Sequence, residues 1–179
     1  MKHLLRLISV LGHPVLIFPL TLGLLLGRQA SLALLGGVFA LCFVGPFSFF
    51  LYSLTTKRIS DFDIYDRKQR YPIYAVSLLG MLASLIVVHL WGSEELTKEF
   101  LQLFVLAVIL VGLNFKTKVS LHVALVATFA LVLVNDYGLG MWVFGLIPLM
   151  AWSRVALHRH TLLEVILGGS IPLLLQLTL

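Results

Sequence analysis

Three polar stretches break an otherwise apolar chain, and each carries side chains able to handle an anion. In the stretch Trp152–Glu164, His160 and Glu164 stand four residues apart, one above the other on a helix face. A carboxylate in that place accepts the imidazole Nδ1–H, fixes the tautomer and leaves Nε2 as a base or nucleophile. Glu164 also opens an apolar segment, where an unpaired carboxylate is costly, so a partner is expected and His160 is the nearest candidate. A structural His–Glu pair at a helix entrance would use the same spacing.

In the stretch Lys116–His122, Ser120 stands where a helix N-cap belongs. The unpaired amides and the positive helix end beside it suit an anion. His122 lies one turn inside, and on its own it reads as an interfacial histidine bonded to a neighbour. The stretch Lys57–Pro72 mixes Asp61, Asp63 and Asp66 with Lys57, Arg58, Arg67, Lys68 and Arg70. Arg67 and Arg70, three apart, would face the same way on a helical turn and could clamp phosphate oxygens. A solvated loop carrying topogenic charges accounts for this stretch taken alone.

The elements that must position these residues are apolar. Hydrophobic residues make up 60% of the 179 and charged residues 12%, where a soluble domain carries about a quarter charged; mean hydropathy is +1.04. Apolar segments fall at 4–26, 32–55, 73–91, 99–115, 120–135, 138–152 and 162–178. In lipid these must be helices, because an open sheet leaves backbone groups unsatisfied. The expectation is a single domain over 1–179, an all-α polytopic membrane helix bundle with six or seven transmembrane helices. His13-Pro14 and Pro19 predict a kink in the first span. His89 and Trp91 predict an interfacial end to the third, and Gly168-Gly169 predict close packing of the last.

Counting seven crossings puts the N-terminus, 56–72, 115–119 and 153–161 on one face. That face holds Lys2, Arg6, Lys57, Arg58, Arg67, Lys68, Arg70, Lys116, Lys118, Arg154 and Arg159, and the other only Arg28 and Lys98. The bias places the N-terminus and all three polar stretches in the cytoplasm. Net charge of +5 has the same origin, and without an exposed soluble module it does not point to nucleic acid. Cys42, the only cysteine, sits in an apolar run as a small core hydrophobe and excludes an internal disulfide. The N-terminal apolar run is long and lacks a small-residue cleavage site, so it reads as a retained first helix.

Together the three stretches resemble the signatures of the type 2 phosphatidic acid phosphatase family, whose helical core is shared with vanadium haloperoxidases. The family's third signature is Ser-Arg, five residues, His, three residues, Asp; here it is similar to Ser153-Arg154, five residues, His160, three residues, Glu164. The second, Pro-Ser-Gly-His, is matched by Val119-Ser120-Leu121-His122, with proline and glycine replaced. The first, Lys, six residues, Arg-Pro, is matched in character by Arg67-Lys68-Gln69-Arg70-Tyr71-Pro72, which looks like the Arg-rich variant of small bacterial members. The order agrees, and the resemblance covers residues 57 to 178.

The resemblance implies a phosphatase/haloperoxidase-like core in a bacterial inner membrane. It also implies metal-free, cofactor-free hydrolysis of a phosphate monoester. His160, oriented by Glu164, would attack phosphorus and form a phosphohistidine. His122 would protonate the leaving alkoxide and then activate water. Arg154, Arg67, Lys68 and Arg70, with Ser120, would bind the phosphate oxygens. The substrate class is a lipid phosphate: phosphatidic acid, phosphatidylglycerophosphate or a polyprenyl phosphate. His158 and Arg159 match no fixed position of the signature. Two other readings compete. Asp61, Asp63 and Asp66 could hold magnesium in a prenyltransferase-like enzyme, although the second half offers only Asp136 as a further aspartate. A non-catalytic carrier or scaffold could use the same pocket to bind a lipid phosphate.

Overall fold

The computed structural model describes residues 2–178 except 61–63 and 65; the side chains of Arg67, Leu177 and Thr178 are also outside the described part. Its helices are α1 (Lys2–Leu11), α2 (Pro14–Gly27), α3 (Leu32–Phe39), α4 (Gly45–Thr55), α5 (Tyr71–Trp91), α6 (Glu94–Lys116), α7 (Leu121–Asn135), α8 (Leu146–Ala156) and α9 (Leu162–Thr178). A π-helical segment, Ala40–Val44, joins α3 to α4, and short 3-10 turns precede α5 and α8. No strand occurs among the described residues.

The expectation of six or seven spans is met in part. Among the described residues, four stretches are long and apolar enough to cross a membrane: Lys2–Gly27, Leu32–Thr55, Lys68–Trp91 and Glu94–Lys116. The other apolar segments form the shorter helices Leu121–Asn135, Met141–Ala156 and Leu162–Gln176. At about 1.5 Å per residue, a helix of α7's length reaches roughly 22 Å, short of a hydrocarbon core of about 30 Å. Leu20, Leu79, Ile86 and Leu90 stand exposed along the long helices, as lipid-facing side chains do. His89 and Trp91 are both exposed at the end of α5, which suits an interfacial anchor.

Contacts group the chain into two compact units, Met1–Leu25 with Lys116–Leu179, and Leu26–Phe115. In the first, α7 packs on α8 and α9, and α1 packs on α8. Its core gathers Ile17, Val123, Val126, Met150 and Val165. The chain breaks between α1 and α2 because Pro14 has no N–H to continue the first helix, yet suits the first turn of the next. His13 caps that turn: its Nδ1 accepts the Val15 N–H at 3.2 Å. Pro19, by contrast, lies inside α2 without ending it.

In the second unit, α4 and the π segment pack on α5. The π segment brings Cys42 Sγ to 3.0 Å from Ser84 Oγ on α5, and Cys42 is buried, as a small core residue should be. Gly80 lies against the Leu41 carbonyl, where a Cβ would collide with backbone. The polar stretch after α4 is packed: Ile59 and Ile64 are buried with Phe50, and Gln69 Oε1 accepts the Ser60 N–H at 2.9 Å. Arg70 grips the Ile64 carbonyl with Nε at 2.9 Å and Nη2 at 2.7 Å. Ile64 has a φ of +29°, a costly conformation for a β-branched residue, so a neighbour must hold it. Arg70→Ala is therefore expected to destabilise the protein by about 1.5–3 kcal/mol, with Arg70→Lys between, as read from thermal unfolding in detergent.

Candidate functional site

The site in the first unit is built by one helix end and two helix starts. Helix α8 closes on His158, whose φ is +54°. Its N–H bonds to the Val155 carbonyl at 2.9 Å, and the Arg159 N–H returns to the Arg154 carbonyl at 3.0 Å. This is the left-handed C-terminal cap that glycine usually fills. His158 and Arg159 thus owe their place to the turn, and His158→Gly is expected to raise stability by up to about 1 kcal/mol in thermal unfolding.

The turn delivers His160 and Thr161 to the start of α9. There the Thr161 N–H donates to Glu164 Oε2 at 3.0 Å, and the Glu164 N–H donates to Thr161 Oγ1 at 3.4 Å. This reciprocal pair is a capping box, for which glutamate three residues past threonine is the preferred partner. The same Oε2 lies 3.0 Å from His160 Nδ1, and the Lys118 carbonyl oxygen lies 3.0 Å from that nitrogen. Both oxygens only accept, so Nδ1 carries the proton and the neutral ring keeps its lone pair on Nε2.

The ring of His160 is 5% exposed. Burial first, then the Arg154 and Lys118 charges, lowers its pKa below the ordinary 6.5, with Glu164 opposing. The imidazole is therefore neutral at neutral pH. Because the folded-state value lies below the unfolded one, this contribution to stability is present above about pH 6.5 and is lost as pH falls through the folded value. If His160 Nε2 is the nucleophile, kcat/KM should lose activity with the same acid limb, which a pH profile between pH 5 and 8 would record.

Ser120 caps α7 with extended backbone. Its N–H donates to the Glu164 carbonyl at 3.2 Å. Gly168 makes room, since a Cβ there would lie 2.6 Å from the Ser120 carbonyl oxygen. The expected close packing of the glycine pair thus joins the starts of α7 and α9. Ser120 is fully buried, and its Oγ has no hydrogen-bond partner among the described residues, a costly state for a hydroxyl. His122, in the first turn of α7, is 6% exposed and meets the His13 ring edge-on, centroids 4.9 Å apart. Arg154 is 4% exposed and donates from Nη1 to Ser9 Oγ at 2.7 Å.

The structure therefore brings His160, Glu164, Ser120 and Arg154 together, with His122 two residues past Ser120 at the start of α7. Arg67, Lys68 and Arg70 belong to the other unit. There Arg70 holds Ile64, Lys68 is exposed, and the Arg67 side chain lies outside the described part. Asp61 and Asp63, needed by the magnesium reading, lie outside the described residues. Asp66 Oδ1 accepts the Lys68 N–H at 3.0 Å and so caps the turn before α5, while Asp136 ends α7. Among the described residues no three His, Cys, Asp or Glu side chains are placed to hold a metal ion.

Sequence reasoning missed Ser9 and the partnership of His13. The signal was present in the four-residue spacing of Leu5, Ser9 and His13. The capping box was also legible, as Thr161 three residues before Glu164. Comparison with family models, with curated proteins and with solved structures finds no match for the chain.

Proposed function

We propose that the chain is a membrane lipid phosphatase that hydrolyses a phosphate monoester through a phosphohistidine on His160. One arrangement carries the reading: a buried neutral imidazole with its proton pinned on Nδ1 by two acceptors, beside a buried guanidinium and a helix start.

In the first step the Nε2 lone pair of His160 attacks phosphorus. The N–P bond forms as the ester P–O bond breaks, and the electron pair leaves with the alkoxide oxygen. His122, protonated, gives that oxygen its proton, while the Glu164 carboxylate balances the positive charge on the phosphorylated ring. In the second step His122 takes a proton from water, and the water oxygen displaces Nε2 from phosphorus. Inorganic phosphate leaves and both histidines return to their starting states. Arg154, the Ser120 hydroxyl and the positive end of α7 stabilise the equatorial oxygens throughout. Phosphoryl transfer depends mostly on positioning and charge, which these groups supply.

A site set in so apolar a chain suits a lipid with a phosphate head. The reading includes six or seven crossings, a bacterial inner membrane, and a cytoplasmic N-terminus and site, on the cation bias of the loops.

The test is phosphate release from a panel of lipid phosphates by protein purified in detergent, with EDTA present and His160→Ala in parallel. Release that survives EDTA and disappears in the variant supports the reading. Release that needs magnesium moves the chemistry to the aspartate loop. No release from any lipid phosphate that nevertheless binds makes the chain a binding protein.

A further inference from the structure

We propose that α1 and the break after it form a further wall of this site, with Ser9 and His13 as positioning residues for Arg154 and His122. The inference rests on the phosphatase reading above. Leu5 and Ser9, four apart, lie on one side of α1, and His13 follows four residues on in the break after it. Ser9 and His13 meet the proposed machinery, and Leu5 meets the residue next to Arg154. The Leu5 carbonyl accepts the Ser153 hydroxyl at 2.8 Å, Ser9 Oγ accepts Arg154 Nη1 at 2.7 Å, and the His13 ring stands at 89° to that of His122.

Ser9 and Arg154 are both buried, at 7% and 4% exposure. A guanidinium is a rigid fork on a flexible stem, so fixing one nitrogen decides where the others point. At His13, the Val15 N–H held on Nδ1 restrains the ring. The edge-on contact passes that restraint to the plane of His122. The interruption at Pro14 makes this possible, because only a residue at a helix start has an N–H two residues on to accept.

The two positions predict different kinetic signatures. His122 also activates water in the second step, which both substrates share, so the comparison is made on kcat/KM, which reports the first step. There a proton donor matters most when the leaving group is poor, and a misaimed His122 slows alkyl phosphates and spares aryl phosphates. Arg154 acts on the phosphate oxygens, which both substrates share. The test uses the purified full chain with a short-chain phosphatidic acid and with p-nitrophenyl phosphate, both in EDTA. His13→Asn keeps a capping acceptor and removes the ring. It is expected to lower kcat/KM on the alkyl substrate by about 10- to 100-fold, with kcat/KM on the aryl substrate changed less than about threefold. Ser9→Ala is expected to lower both rates by about tenfold and Ser9→Thr to restore them.

The alkyl-to-aryl ratio does not depend on the fraction of protein folded, so it reports aim rather than stability. Equal losses on both substrates in His13→Asn, or no loss in either variant while the wild type turns over, overturn this inference alone. A wild type that releases no phosphate in EDTA overturns the phosphatase reading and this inference with it.

Discussion

Protein carrying His160→Ala is expected to release phosphate from lipid phosphates at least about 10³-fold more slowly than the wild type while remaining folded. The geometry leaves His160 a defined lone pair for attack: Nδ1 is committed to Glu164 Oε2 and the Lys118 carbonyl, and Nε2 is not needed for either. Its removal should cost little stability. Glu164 keeps the Thr161 N–H, the Lys118 carbonyl loses one bond, and the cost of such a change is about 1–2 kcal/mol. Turnover and thermal unfolding, measured on one preparation, separate the two effects. A variant that is stable and still active would remove His160 from the chemistry.

Glu164→Gln is expected to lower kcat by about 10²-fold and leave stability nearly unchanged. Glutamate here does two things through one oxygen, capping α9 at Thr161 and accepting from His160. Glutamine is accepted in a capping box, so the cap survives. What disappears is the negative charge that, in the proposed mechanism, balances the imidazole ring when it carries the phosphoryl group. Glu164→Ala removes cap and charge together and should also lower stability by about 1 kcal/mol. If Gln matches the wild type in turnover and Ala does not, the carboxylate is a helix cap and its charge plays no catalytic part.

The helical character of the chain was legible because apolar runs of span length admit only helices in lipid. The span number was less so. The segments at 120–135, 138–152 and 162–178 are as apolar as the others, but composition does not reveal where a helix stops. The structure ends them at Asn135, Ala156 and Thr178, and all are short. In the site, the spacing of His160 and Glu164 was sufficient to foresee their contact, since both lie within one turn. The Lys118 carbonyl could not be foreseen, because a backbone acceptor from the distant connection between α6 and α7 leaves no mark on composition. Ser9 left only a spacing, four residues after Leu5 and four before His13, which gains meaning once Arg154 is placed against it. The glutamate that departs from the aspartate of the resembled signature has its own physical reason, the capping box with Thr161. Arg70 carries a contact of another kind. Its spacing from Arg67 suggested a phosphate clamp, and two of its nitrogens hold the Ile64 carbonyl, a contact six residues back that loop composition does not disclose.

The most direct test is to trap the intermediate. Wild-type protein in EDTA would be mixed with a lipid phosphate labelled with ³²P in its head group and quenched in alkaline detergent within the first turnover. The account predicts label on the protein that resists alkali, is released by acid, maps to the peptide carrying His160, and is absent from His160→Ala. Turnover without any protein-bound label, or label that persists in His160→Ala, would contradict it.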